Sequence, residues 1–141
     1  DLEILARKTP ELARERTLAN TLVALGNLAQ TCIALELFDE AEGATSRGEE
    51  LLAKNRAAIL SHPSGILAAA ALRETRSKLL DEQGNARAAL DAVQESIALL
   101  EQARPLRPRD VEILRLLATA WNNLALLQKS AERPSAEPLA S

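Results

Sequence analysis

One histidine, one cysteine and a scatter of carboxylates are the groups in this 141-residue chain that could do chemistry. A cysteine nucleophile needs a nearby base to hold it as thiolate. Cys32 lies on the apolar side of a helical pattern, and His62 lies in the turn-rich run Ser61-His62-Pro63-Ser64-Gly65. That separation leaves Cys32 reading as a small buried hydrophobe. One histidine and one cysteine make no zinc set, no glycine-rich phosphate loop is present, and the HExxH and GxSxG patterns are absent. The pairs Glu49-Glu50 and Asp81-Glu82 fall on amphipathic patterns, where such pairs are solvated helix faces. Glu11, Arg14 and Glu15 read as ordinary surface charge. The expectation is no enzyme, no metal and no cofactor.

The remaining chemistry is recognition. Arg104, Arg107 and Arg109 are interleaved with Pro105 and Pro108. Three guanidiniums on a stiff loop could grip an acidic peptide or a phosphate through forked hydrogen bonds, or the loop could be a plain polar connection. Elsewhere charges of both signs alternate, with a net charge of -3, which leaves no footprint for nucleic acid or an anionic membrane. No apolar run reaches the length of a bilayer span, and the opening residues lack a signal-peptide pattern. The chain opens on Asp1 and not Met, so a cytoplasmic fragment or processed piece of a larger protein is expected.

The elements that must position these groups are helices. Ala and Leu fill most apolar positions, and there is one Phe, one Trp and no Tyr. This composition favours helix and starves strands of their β-branched and aromatic residues. Leu2 to Lys8 predicts a short first helix, closed by Thr9-Pro10 as the cap and first residue of the next. Leu18, Leu22, Leu25, Leu28, Ala29, Cys32 and Leu35 then recur at three and four residues, predicting a long helix to about Leu37. A third helix is expected from Phe38 to about Leu60. Gly43 and Gly48 inside it each cost about 1 kcal/mol relative to Ala and imply a closely approaching neighbour. Further helices are expected over 66–83, 86–102 and from an Asp110 cap to Lys129, followed by a Pro-rich frayed tail.

Displacing the sequence by 48 residues superposes Ala41, Ala44, Leu51 and Leu52 on Ala89, Ala92, Leu99 and Leu100, and carries Leu18 onto Ile66 and then Leu114. A second displacement carries Asn27-Leu28-Ala29 onto Asn123-Leu124-Ala125. Self-similarity at such a period marks an array in which each unit buries its apolar face on the next. The middle unit departs: Arg73, Arg76 and Ser77 stand where the flanking units have Leu25, Leu28, Ala29 and Trp121, Leu124, Ala125. Either its register slips so that Leu72 and Leu79 form the core, or the arginines lie along the surface with packed stems and solvated heads.

The set Leu25, Leu28-Ala29, Cys32, Phe38, Glu40-Ala41 and Ala44 resembles the tetratricopeptide repeat family, and Trp121 to Leu127 resembles the opening of a long repeat of the kinesin-light-chain kind. The resemblance covers the chain to Lys129. It implies an all-α fold of antiparallel helix-turn-helix repeats stacked as a short right-handed α-solenoid of about six helices. The implied repeat domain is 1–130, with the end of one repeat in 1–9, repeats over 10–60 and 63–102, the first helix of another over 110–130, and a flexible Pro-rich tail over 131–141. It implies a protein-interaction scaffold in which the first helix of each unit lines a concave groove. On matching positions that nominates Val23, Gly26 and Gln30, then Glu74 and Lys78, then Asn122. The family's carboxylate clamp is approached only by Lys78 and Asn122, so an alternating apolar and polar peptide suits this groove better than a charged terminus. Two other roles stay open: a regulatory or ligand-sensing domain of a larger signalling protein, and self-association as a homodimer through exposed terminal helices. No nucleic-acid or membrane partner is expected.

Overall fold

The structure, a computed structural model, describes residues 2–132. It is all-helical, with six α-helices packed together: α1 (Leu2–Ala34), α2 (Phe38–Lys54), α3 (Arg56–Leu60), α4 (Pro63–Glu82), α5 (Ala86–Ala103) and α6 (Val111–Glu132), with a 3-10 turn over Arg104–Leu106. No strand occurs among the described residues.

The expected break at Thr9-Pro10 is absent, and α1 runs through it with Pro10 inside the helix. Proline's fixed φ is helical, and the local loss is the backbone hydrogen bond that an N–H at position 10 would give to residue 6. The helix expected over 38–60 instead divides at Asn55, whose φ of -127° and ψ of 28° are not helical. Asn55 holds the break from both sides: its Nδ2 donates to the Leu51 carbonyl at 3.0 Å, and Arg14 of α1 donates to its Oδ1 at 3.2 Å. Helix α4 starts three residues earlier than the turn-rich run implies, because Pro63 takes the first helical position, where its missing N–H costs nothing. At α6 the expected cap is present, with Asp110 Oδ1 accepting from the Glu112 backbone N–H at 2.9 Å. Of the Pro-rich tail expected over 131–141, residues 131–132 belong to α6 and 133–141 lie outside the described residues.

The 48-residue displacement is reproduced by the element boundaries. Helices α1 and α4 end at Ala34 and Glu82, α2 and α5 start at Phe38 and Ala86, and α4 and α6 start at Pro63 and Val111. The two helix ends are built alike. Glu36 (φ 60°) and Gly84 (φ 80°) are the positive-φ residues among the described ones, and Leu37 and Asn85 donate back to the Cys32 and Leu80 carbonyls at 2.7 and 2.9 Å. That six-to-one bond is the Schellman closure of a helix.

The core runs through α4, which packs most heavily on α5 and α1 and also meets α2 and α3. Two adjacent rows of α4 are turned inward. One holds Gly65, Ala69, Leu72 and Leu79, the other Ile66, Ala70 and Ser77, and Leu72 and Leu79 are fully buried. No slip of register is needed to bury those leucines, because a helix covered on two sides buries both rows at once. The small polar residues in this core are satisfied across the α4/α5 seam. Ser77 donates to the Ala89 carbonyl at 2.7 Å, and Ser96 to the Ala70 carbonyl at 2.8 Å.

Arg73 and Arg76 are neither core nor free surface. Each is about four-fifths buried, and their heads enter a network of acids from both neighbouring helices. Arg73 reaches Glu95 of α5 at 3.0 Å and Glu49 of α2 at 3.6 Å. Arg76 meets Glu42 and lies 3.4 Å from Glu49. Glu49 Oε1 is buried without a geometrically good hydrogen bond, so these two guanidiniums compensate it by charge rather than by aligned donation. Of the glycines in α2, Gly48 faces a close neighbour, since a Cβ there would come 2.8 Å from Leu72 Cδ1. Gly43 does not: nothing lies within 4 Å of its Cβ position, so the close approach expected there is absent.

Candidate functional site

The nominated residues fall on α1, α4 and α6, the helices that the 48-residue displacement relates to one another. Gln30 and Lys78 come together: with Ile33 and Ala34 they line a shallow depression of about 300 Å³ between α1 and α4. Lys78 also borders a smaller depression between α4 and α6, with Ser77, Asp81, Asn123, Leu126, Leu127 and Ser130. Lys78 is therefore the shared wall of two adjoining hollows. Val23 is exposed on α1 nearly three turns before Ile33, and Asn122 is exposed on α6, but neither lines either of these two hollows. Gly26 is buried, although a Cβ at that position would meet nothing within 4 Å.

Glu74 is buried, 7% exposed, one turn before Lys78. Asn123 of α6, and not the nominated Asn122, reaches it: Nδ2 donates to Glu74 Oε1 at 3.0 Å. Burial pushes the Glu74 carboxyl above its ordinary value, with opposing pulls from the charges of Lys78 and Arg115 and from the Asn123 hydrogen bond. The surface so formed mixes apolar anchors (Ile33, Leu126, Leu127), amide groups (Gln30, Asn123), one ammonium and one buried carboxyl. It holds no pair of groups arranged as nucleophile and base.

Leu126, Asp81 and Asn123 were not nominated. Leu126 was within reach, because two displacements of 48 residues carry Gln30 to Lys78 and then to Leu126. Asn123 has no such signal, since its equivalents Asn27 and Thr75 give no hint of a partner on a neighbouring helix.

The arginine loop does not offer three converging cations. Arg104 lies 3.9 Å from Glu101 and Arg107 lies 3.7 Å from Asp110, so two of the three are partly neutralised by neighbouring acids, while Arg109 stays exposed. Arg107 instead faces a separate cleft of about 300 Å³ at the start of α4, lined also by Glu15, Arg16, Asn20 and His62. There His62 donates from Nε2 to the Glu15 carboxylate, tying the α3/α4 turn to α1. Cys32 is buried and unpaired by any disulfide. Among the described residues no three His, Cys, Asp or Glu side chains converge to hold a metal, and no helix is long and apolar enough to cross a membrane.

No known protein family, curated protein or solved structure matches the chain.

Proposed function

We propose that this chain is a tetratricopeptide-like array, its helix pairs stacked as a short right-handed α-solenoid, and that it serves as a protein-interaction scaffold and not as an enzyme. A partner segment lies along the face formed by α1, α4 and α6. The observation that carries this reading is Lys78, which borders both hollows, so that three successive first helices contribute to one continuous recognition surface. Ile33, Leu126 and Leu127 seat apolar side chains of the segment, while Gln30, Lys78 and Asn123 fix its polar groups. A ligand-sensing role has one observation in its favour, the cleft at Arg16, His62 and Arg107. Small-molecule sites are mostly apolar with few polar groups, and that cleft is lined as much by polar side chains as by apolar ones.

The test is selection of peptides from a displayed library on the intact chain, followed by affinity measurement on variants. Lys78→Glu and Leu126→Asp are each expected to weaken binding by about tenfold or more, equivalent to about 1.4 kcal/mol. Arg87→Glu, exposed on α5, should leave it unchanged. Equal affinity in Lys78→Glu, Leu126→Asp and the unaltered chain removes this face from consideration.

A further inference from the structure

The cleft at the start of α4 is bounded by three separate parts of the chain. Helix α1 supplies Glu15 and Arg16, the α3/α4 turn supplies His62, and the connection between α5 and α6 supplies Arg107. Two guanidiniums from distant segments thus line one hollow of about 300 Å³. Arg16 makes no ion pair and no side-chain hydrogen bond with any described residue. Arg107 lies 3.7 Å from Asp110, beyond hydrogen-bonding distance, so its N–H donors stay uncommitted. Glu15, the acid in the lining, already accepts the hydrogen bond from His62. The cleft therefore offers two guanidiniums with unused donors, and its carboxylate is occupied. Leu12, Ile59 and Pro63 give the same hollow an apolar wall.

We propose that this cleft binds a small organic phosphomonoester, with the phosphoryl group held between Arg16 and Arg107 and the organic body resting on Leu12, Ile59 and Pro63. A guanidinium fork matches phosphate oxygens two at a time. A phosphomonoester carries close to two negative charges at neutral pH and engages both cations, whereas a single carboxylate satisfies one. A volume of about 300 Å³ is the lower end for ligand pockets, which limits the organic body to a short chain or one ring. The even division of the lining between polar and apolar side chains tells against a largely apolar ligand, yet it suits a molecule charged at one end and apolar at the other. At about 1.5 Å per residue, Arg16 stands roughly 20 Å along α1 from Gln30. The cleft and the face beside Lys78 are therefore separate sites, and either can fail without the other.

The probe is phenyl phosphate, titrated into the intact chain at about pH 7.5, where a phosphomonoester is doubly charged, with ionic strength held constant. Backbone amide NMR signals of His62, Ser64 and Gly65, and of Arg16 and Arg107, should shift and saturate with a Kd of about 1 mM. Arg16→Gln and Arg107→Gln should each weaken binding by about tenfold. Both arginines are exposed, so these variants keep the parent's fold and helicity. Arg109→Gln, beside Arg107 in sequence but outside the cleft, should leave binding unchanged. Inorganic phosphate, which lacks the body, and benzoate, which lacks the phosphoryl group, should both bind several-fold more weakly. The absence of saturable shifts at the cleft overturns the proposal. So does an equal loss in Arg109→Gln and Arg107→Gln, which marks diffuse attraction to a basic loop. Inorganic phosphate or benzoate binding as tightly as phenyl phosphate also overturns it, the first by removing the organic body from recognition and the second by removing the phosphoryl group.

Discussion

At the scale of single residues, the glycines divide by what a methyl group would meet. A Cβ on Gly65 would fall 1.7 Å from the Ile59 carbonyl oxygen, so α4 can approach the end of α3 only with hydrogen at that position. Gly65→Ala is expected to lower stability by about 3 kcal/mol, although Ala is the better helix former. Gly43→Ala, in open space on α2, is expected to raise it by about 1 kcal/mol. Urea midpoints of the two variants should move in opposite directions, and a common direction contradicts the geometry. Glu74 supplies a second test. Its carboxyl is raised by burial, so the native chain keeps that proton to higher pH than the unfolded chain does. Stability on its account is greatest at low pH and falls as pH rises from the ordinary carboxylate range through the raised value. Glu74→Gln keeps a carbonyl for Asn123 and removes the buried charge. Its urea midpoint should exceed the parent's at about pH 7 and match it at about pH 3, where both side chains are neutral. A midpoint below the parent's at neutral pH would mean that Lys78 and Arg115 outweigh burial.

At the scale of elements, the two helix ends at Glu36 and Gly84 share one closure but not one residue type. The left-handed conformation costs an ordinary L-residue about 1–2 kcal/mol, so Glu36→Gly is expected to raise stability by about 1 kcal/mol, and thermal unfolding that is unmoved or earlier refutes it. The helices themselves were legible. Periodicity placed α5 and the start of α6 within a residue, though α6 runs three residues past the expected end at Lys129, and the 48-residue displacement fixed which helices are equivalent. Three boundaries were not legible, for identifiable reasons. Pro10 signals a helix start yet tolerates a helix passing through it, Asn55 breaks a helix through its own bonds to Leu51 and Arg14, and Pro63 serves as a first turn where the neighbouring Ser, His and Gly suggest a loop. The candidate face was half legible. Gln30 and Lys78 follow from the repeat, but the Glu74–Asn123 bond joins helices 49 residues apart and depends on how α4 and α6 meet, which no local pattern encodes.

At the scale of the whole molecule, α4 packs against α1, α2, α3 and α5, whereas α1 and α6 each leave one row open. Hydrogen exchange should therefore be slowest at the amides of α4 and of α5 beneath it, and faster in the first turns of α1 and the last of α6. Protection greatest in α1 would refute α4 as the structural centre. The acid–arginine network also has a bearing on how the chain avoids folding wrongly. Equivalent units invite mis-docking, because a helix can settle on the wrong copy of its partner. Moving Glu42, Glu49 and Arg76 on by 48 residues gives Leu90, Ile97 and Leu124, which belong to one apolar cluster. The contact of α2 with α4 is therefore ionic where the matching contact of α5 with α6 is greasy. Seating α6 on α2 would press Leu124 against two carboxylates, and seating α4 in the place of α6 would strand Arg76 among leucines. The charges that make the middle unit look irregular give each helix an address, and so make the order of the units unambiguous.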